Sequence, residues 1–186
     1  MKSTLKLIGI GLAALLSGPV VAQAAVIDVT AGVLNGTSTT LTMPEATITA
    51  GAGTTLLVGD FVANAVCPLG NFGCNGLMTL VFNFDVTNVS FDYGFGNNGD
   101  SAQLSVFDGL GGFLGLFGLN STAGVAAADL SAFGTMRTIV FDNSAATGAG
   151  YAYGDINYRA VPLPSMLPLM LTGLGAVALF LRKSRA

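Results

Sequence analysis

Cys67 and Cys74 are the only two cysteines in 186 residues, and Pro68-Leu69-Gly70-Asn71-Phe72-Gly73 lies between them. In a chain bound for an oxidising compartment, an even pair at short range reads as a disulfide. Closing a loop of that size contributes roughly 2.5 kcal/mol in the chain-entropy account. A redox pair would normally be spaced Cys-x-x-Cys, and a zinc site needs more ligands than two sulfurs. The chain has no histidine to supply them.

Oxygen ligands are more plentiful. Gly94-Phe95-Gly96-Asn97-Asn98-Gly99-Asp100 concentrates amides and a carboxylate on glycine-rich backbone. Calcium takes six to eight oxygens, so Asp92, Asn97, Asn98 and Asp100 are candidate ligands, with Asp28 and Asp155 as other contributors. The segment fits neither the EF-hand nor the Gly-Gly-x-Gly-x-Asp repeat, and an ordinary polar turn is the better reading of it. No other cofactor is expected. A sugar site would use an aromatic platform, for which Tyr151 and Tyr153 sit two apart on one strand face. Tryptophan, the stronger platform residue, is absent.

Catalytic constellations are scarce. Without histidine there is neither a Ser-His-Asp nor a Cys-His arrangement. Gly-x-Ser-x-Gly is missing, and without lysine between Ala25 and Ala160 no phosphate loop forms there. Paired carboxylates suffice for glycoside hydrolysis, yet Glu45 is the sole glutamate and follows Pro44 in a Thr-rich segment. The expectation is a protein that is not an enzyme.

Charge is distributed unevenly. Lys2, Lys6, Arg182, Lys183 and Arg185 lie at the extremes, so residues 25–160 hold two basic and ten acidic residues, a net charge of −8. That excludes nucleic acid as a partner, because phosphate binding needs clustered Lys and Arg. Charged residues make up 9% and hydrophobic ones 52% of the chain. Solvated disorder, which combines low hydrophobicity with high charge, is ruled out.

The ends carry targeting chemistry. Lys2 and Lys6 precede an apolar run from Leu7 to Leu16, Gly18-Pro19 breaks it, and Ala22-Gln23-Ala24 supplies the small-x-small pattern of a signal peptidase site before Ala25. Residues 1–24 therefore read as a signal peptide; the alternative is an anchor that is never cut. At the other end 19 uncharged residues from Leu163 to Leu181 give roughly 28 Å of helix, enough to span a bilayer. Arg182, Lys183 and Arg185 hold the terminus on the cytoplasmic side.

Val161-Pro162-Leu163-Pro164, then an apolar helix containing Gly173, then a terminal Arg/Lys cluster, resembles the PEP-CTERM sorting signal over residues 161–186. Leu163 stands where the name-giving motif has Glu. The resemblance implies an exported protein of a Gram-negative bacterium. Its precursor is held in the inner membrane with the ectodomain in the periplasm. An exosortase-type protease recognises the tail, and the released chain moves to the cell surface or the exopolysaccharide matrix. Some ice-binding proteins carry the same kind of tail, so the tail specifies a route and leaves the activity open.

Residues 25–160 are enough for one domain with a sizeable core. Short β-rich runs separated by Gly, Asn, Asp and Ser predict an all-β, antiparallel sandwich. The expected strands are Ala25–Ala31, Thr39–Thr42, Ala46–Thr49, Thr54–Val58, Leu77–Phe84, Asn88–Phe95, Ala102–Phe107, Phe113–Leu119, Met136–Phe141 and Gly150–Tyr158. The Ala-rich 124–132 segment suggests one helical turn before Phe133-Gly134. Phe107-Asp108-Gly109, Thr138-Ile139-Val140-Phe141 and Tyr151-Ala152-Tyr153-Gly154-Asp155-Ile156 resemble the galactose-binding-like jelly roll of many carbohydrate-binding modules.

The resulting expectation is a non-enzymatic surface or matrix protein associated with exopolysaccharide. A carbohydrate-binding module is the alternative, and an ice-binding protein a third reading. The last needs regularly spaced Thr ranks, which the linear order of Thr37–Thr49 does not display.

Overall fold

The computed structural model describes residues 23–59, 62–70, 73–94, 101–120, 124–146 and 148–162. Its strands are β1 (Ala24–Val26), β2 (Val33–Leu34), β3 (Thr40–Thr42), β4 (Ala46–Ala50), β5 (Thr55–Gly59), β6 (Ala65–Leu69), β7 (Leu77–Gly94), β8 (Ala102–Phe107), β9 (Phe113–Leu119), β10 (Ala126–Asp129), β11 (Met136–Asp142) and β12 (Ala152–Ala160). Two single 3-10 turns, Val29–Ala31 and Ser131–Phe133, complete the regular structure. All named strand pairs are antiparallel.

The sheet curls into two layers because β7 serves both. Its first half pairs with β4 and β11, in a layer ordered β2-β3-β4-β7-β11-β8-β9. Its second half pairs with β10 on one side and β12 on the other, and β12 continues to β1 and β6. The change of layer is visible in side-chain parity. Met78, Leu80 and Phe82 point into the core, whereas beyond Asn88 it is Val89, Phe91 and Tyr93 that are buried. Asn88 has φ +51, the left-handed conformation that an asparagine tolerates. One slipped residue moves every later side chain to the opposite face. Sequence reasoning placed two strands here; the structure joins them through Asp85–Thr87.

Between the layers lies one main core. Ile48, Leu80, Leu104 and Ile139 meet a ring cluster of Phe91, Phe141 and Tyr153, with centroids 4.4–5.7 Å apart. Outside the core, β3, β4, β7 and β11 align Thr42, Thr47, Val81 and Thr138 in one rank and Thr40, Thr49, Thr79 and Val140 in the next. Ranks absent from the linear sequence are thus built by strand register.

Two expected elements need correction, and one strand was not expected. Ala25–Ala31 is strand only to Val26; Asp28 then starts a 3-10 turn by accepting the Thr30 and Ala31 backbone N–H groups at 3.1 Å each. The alanines of 126–129 form β10 and no helical turn, because ladder pairing to Ser90–Tyr93 outweighs alanine's helix preference. β6 was not anticipated, since it contains Pro68 and proline argues against a strand. The β5–β6 ladder nevertheless includes Pro68 opposite Leu56.

Candidate functional site

The cysteine pair is a disulfide. Cys67 in β6 is bonded to Cys74 with Cα atoms 5.3 Å apart, and no described cysteine is free. The bridge closes the short turn in which Gly70 pairs with Gly73. Thiol labelling of denatured, unreduced protein should find no reactive cysteine; two labelled thiols would contradict the bridge. Cys67→Ser should lower stability by at most about 2.5 kcal/mol, a loss this core can absorb.

Tyr151 and Tyr153 do share a face, but it is the core face, and both side chains are fully buried. Tyr153 packs on Phe91 and Phe141, and Tyr151 on Tyr93 at 5.6 Å. Tyr93 and Tyr158 are buried as well. The proposed aromatic platform is therefore corrected: none of the four tyrosines offers a ring to a ligand. Alternation reveals which residues share a face and leaves open which layer covers it.

The candidate calcium ligands are dispersed. Asp28 is occupied by its turn, and the Thr30 hydroxyl, then the Ala31 N–H, hold its carboxyl below the usual range. Asp155 stands at φ +44 in an irregular stretch of β12, where its carbonyl accepts from Asn157 Nδ2 at 2.6 Å. Asp92 lies opposite Ala127 and Gly154. No three acidic or cysteine side chains converge as a metal site among the described residues. Asn97, Asn98 and Asp100 lie outside those residues, as do Ala22, Leu163, Pro164, Gly173, Arg182, Lys183 and Arg185. Among the described residues no helix is long and apolar enough to cross a membrane.

Ala24 and Ala25 pair with Arg159 and Tyr158. A cut after Ala24 thus falls within β1, which requires the chain to be unpaired there when a signal peptidase acts. In the finished fold Asn64 clamps this region: its Oδ1 accepts from the Val29 N–H at 2.9 Å and its Nδ2 donates to the Ile27 carbonyl at 2.7 Å.

Sequence reasoning missed a cleft of about 540 Å³ at one end of the first layer. Asp85 at the bend of β7, Arg137 on β11, Asp108 in the β8–β9 turn, and Phe133 with Thr135 line it, and Leu110 and Leu114 form its apolar wall. Arg137 Nε lies 3.0 Å from Asp85 Oδ1. Those two atoms are sealed from solvent and lack an aligned hydrogen bond, so charge alone joins them, while both side chains remain over a third exposed. An exposed pair of this kind contributes about 0–1 kcal/mol to stability, so the fold does not depend on it.

Asp108 shapes the cleft's lip. Its Oδ1 accepts the Leu110 and Gly112 N–H groups at 2.8 and 2.7 Å, the local bonding for which aspartate is favoured in turns. Gly109 lets the turn approach the Asp85 carboxylate, which a Cβ at this position would push aside. The cleft joins carboxylates, a guanidinium and a hydroxyl with an aromatic edge and two leucines. A second depression of about 370 Å³, between Gln103, Gly118 and Asp142, offers one carboxylate and no cation.

No protein-family model matches the chain, and no curated protein matches its sequence. Solved structures with a similar chain path include variants of a family 29 carbohydrate-binding module. One is 14% identical, covers 74% of this chain and 91% of its own, and has a TM-score of 0.49. Another, complexed with mannohexaose, is 16% identical over 74% and 92% of the two chains, with a TM-score of 0.45. A family 29 module from Piromyces equi is 13% identical over 76% and 93%, with a TM-score of 0.48. At these identities and scores the likeness is one of chain path and says nothing about the cleft.

Proposed function

We propose that the chain is an exported, non-enzymatic surface or matrix protein whose β-sandwich holds an uncharged segment of exopolysaccharide. Its route follows the signal-peptide reading of residues 1–24 and the PEP-CTERM-like tail of residues 161–186. One observation carries the ligand class: the cleft sets the Asp85–Arg137 pair and Thr135 beside Phe133, Leu110 and Leu114. Sugar rings present hydroxyls around their rims and C–H groups on their faces. A pocket with a few convergent polar groups on an apolar wall suits both, and charge-assisted bonds from carboxylate and guanidinium are the strong ones.

The pair's small stabilising role makes the test clean. Arg137→Ala and Asp85→Asn should keep the melting temperature within a few degrees while weakening binding to a retained glycan about tenfold or more, read on a glycan array and then by calorimetry. A wild-type chain that retains no glycan, or variants that bind as well as wild type, would overturn this reading of the cleft.

A further inference from the structure

The cleft lies where the chain leaves the domain. β12 ends with Ala160 opposite Val86, and the next residue, Val161, donates its N–H to the Asp85 carbonyl at 2.8 Å. The β8–β9 turn touches the same residue from the other side, through Gly109 against the Asp85 carboxylate. At the entry, Ala24 pairs with Arg159. Both ends of the described chain and the tip of one hairpin thus converge at one end of the sandwich.

That hairpin has the wrong surface for water. Leu110 is 99% exposed, Phe113 59% and Leu116 53%. No charged residue occurs from Gly109 to Asn120. β9 also ends its sheet, pairing only with β8 among the described residues. Natural edge strands normally carry Lys, Pro or inward charges as protection; β9 has none. Buried, these side chains would make a core. Here they point away from one.

The occupant is indicated by what leaves beside them. From Leu163 the chain runs 19 residues without a charge before Arg182, and it departs one residue after the described Pro162. A bilayer holding that segment stands next to the hairpin. Arg137 and Arg159 lie at this same end together with Asp85, which pairs with Arg137, and Asp108, so its apolar side chains rather than a net charge set it apart. An uncharged stretch of exposed leucine and phenylalanine suits an interfacial lipid surface, where apolar side chains sink into the headgroup boundary.

We infer that the β8–β9 tip, Leu110 with Phe113 and Leu116, rests in the outer interface of the bilayer that holds the tail. This rests on the membrane-span reading of residues 163–181. The anchored precursor then presents its cleft to the lipid, and release of the tail turns the cleft toward the matrix.

The absence of tryptophan provides the probe. Full-length Leu110→Trp protein, reconstituted into phosphatidylethanolamine–phosphatidylglycerol vesicles, carries a single indole. Ala52→Trp, in the exposed β4–β5 turn beyond Leu77 at the opposite end, serves as its control. Both positions are exposed, so neither variant disturbs the core. The Leu110→Trp emission should shift to the blue and be quenched several-fold more by shallow-brominated lipid than the Ala52→Trp emission. Flotation of the vesicles reports the tail separately. Protein that floats with an unquenched Leu110→Trp probe overturns the docking of the hairpin and leaves the tail as an anchor. Failure to float overturns both. A blue shift insensitive to brominated lipid places a protein segment or a second copy over the tip and also overturns the inference.

Discussion

Asn143→Ala should destabilise the domain by about 3–5 kcal/mol, the largest effect expected of any single substitution away from the ring cluster. Asn143 is the one fully buried polar side chain among the described residues. Its Nδ2 donates to the Cys74 carbonyl at 2.7 Å and the Tyr151 carbonyl at 2.9 Å, and its Oδ1 accepts the Tyr153 hydroxyl. One side chain thus ties the disulfide turn, β11 and β12 together. Truncation removes all three of these hydrogen bonds, and a buried polar group that loses its partner costs about 1–3 kcal/mol. In a domain of this size the melting temperature should fall by roughly 10 °C or more. Tyr153→Phe should cost less, about 1–2 kcal/mol, because it removes a single hydroxyl. The double variant should fall short of additivity, since the two changes remove a shared bond. Thermal unfolding followed by circular dichroism measures all three. A shift for Asn143→Ala no larger than that of the exposed Asn157→Ala would show that the network is not what holds these elements.

The same network sets an alkaline limit. Burial, only partly offset by the bond to Asn143, pushes the Tyr153 phenol well above its usual pKa of 10. Burial also raises Tyr158. The unfolded chain releases these protons near pH 10, while the folded chain retains them. Their contribution to stability is therefore complete below pH 10 and declines as pH rises toward the folded values. Tyr153→Phe should flatten part of that decline, which a pH series of melting curves would show directly.

The fold was legible in the sequence wherever period-two alternation was undisturbed, as in Val89, Phe91 and Tyr93 or Leu104 and Val106. Legibility failed where tertiary pairing outweighed local preference. The alanines of β10 and the proline of β6 carry helical or irregular signals that their ladders override. Tyr151 and Tyr153 were assigned the right face and the wrong surroundings, since alternation carries no information about the opposing layer. The cleft was illegible for a different reason. Asp85, Asp108, Phe133 and Arg137 come from the bend of β7, a turn, a 3-10 turn and β11, and no spacing between them forms a motif. The one available hint was Arg137 itself, one of only two cations in an acidic, lysine-free domain, which favours a nearby carboxylate.

Mature protein recovered outside the cell should end near Pro164 and lack Met166 to Ala186, a loss of more than twenty residues. The sorting reading of the tail predicts this, and the fold makes it mechanically simple. Val161 is the last residue seen to bond to the sheet, through the Asp85 carbonyl, so the Pro162-Leu163-Pro164 motif begins just beyond it. Each proline lacks an amide donor and disfavours helix in the residue before it, so the sorting reading expects an extended motif between domain and anchor. A cut there removes no β12 residue, so the released form should melt at the same temperature as the precursor's domain. On the same reading, Arg182, Lys183 and Arg185 hold the terminus in the cytoplasm and the motif on the outer side. Intact-mass spectrometry of the secreted or surface fraction decides the matter. A chain ending at Ala186, retained in the inner membrane of cells with an active exosortase, would reduce the tail to a single-span anchor. Leu163→Glu, which restores the residue of the name-giving motif, would then test whether that position blocks processing.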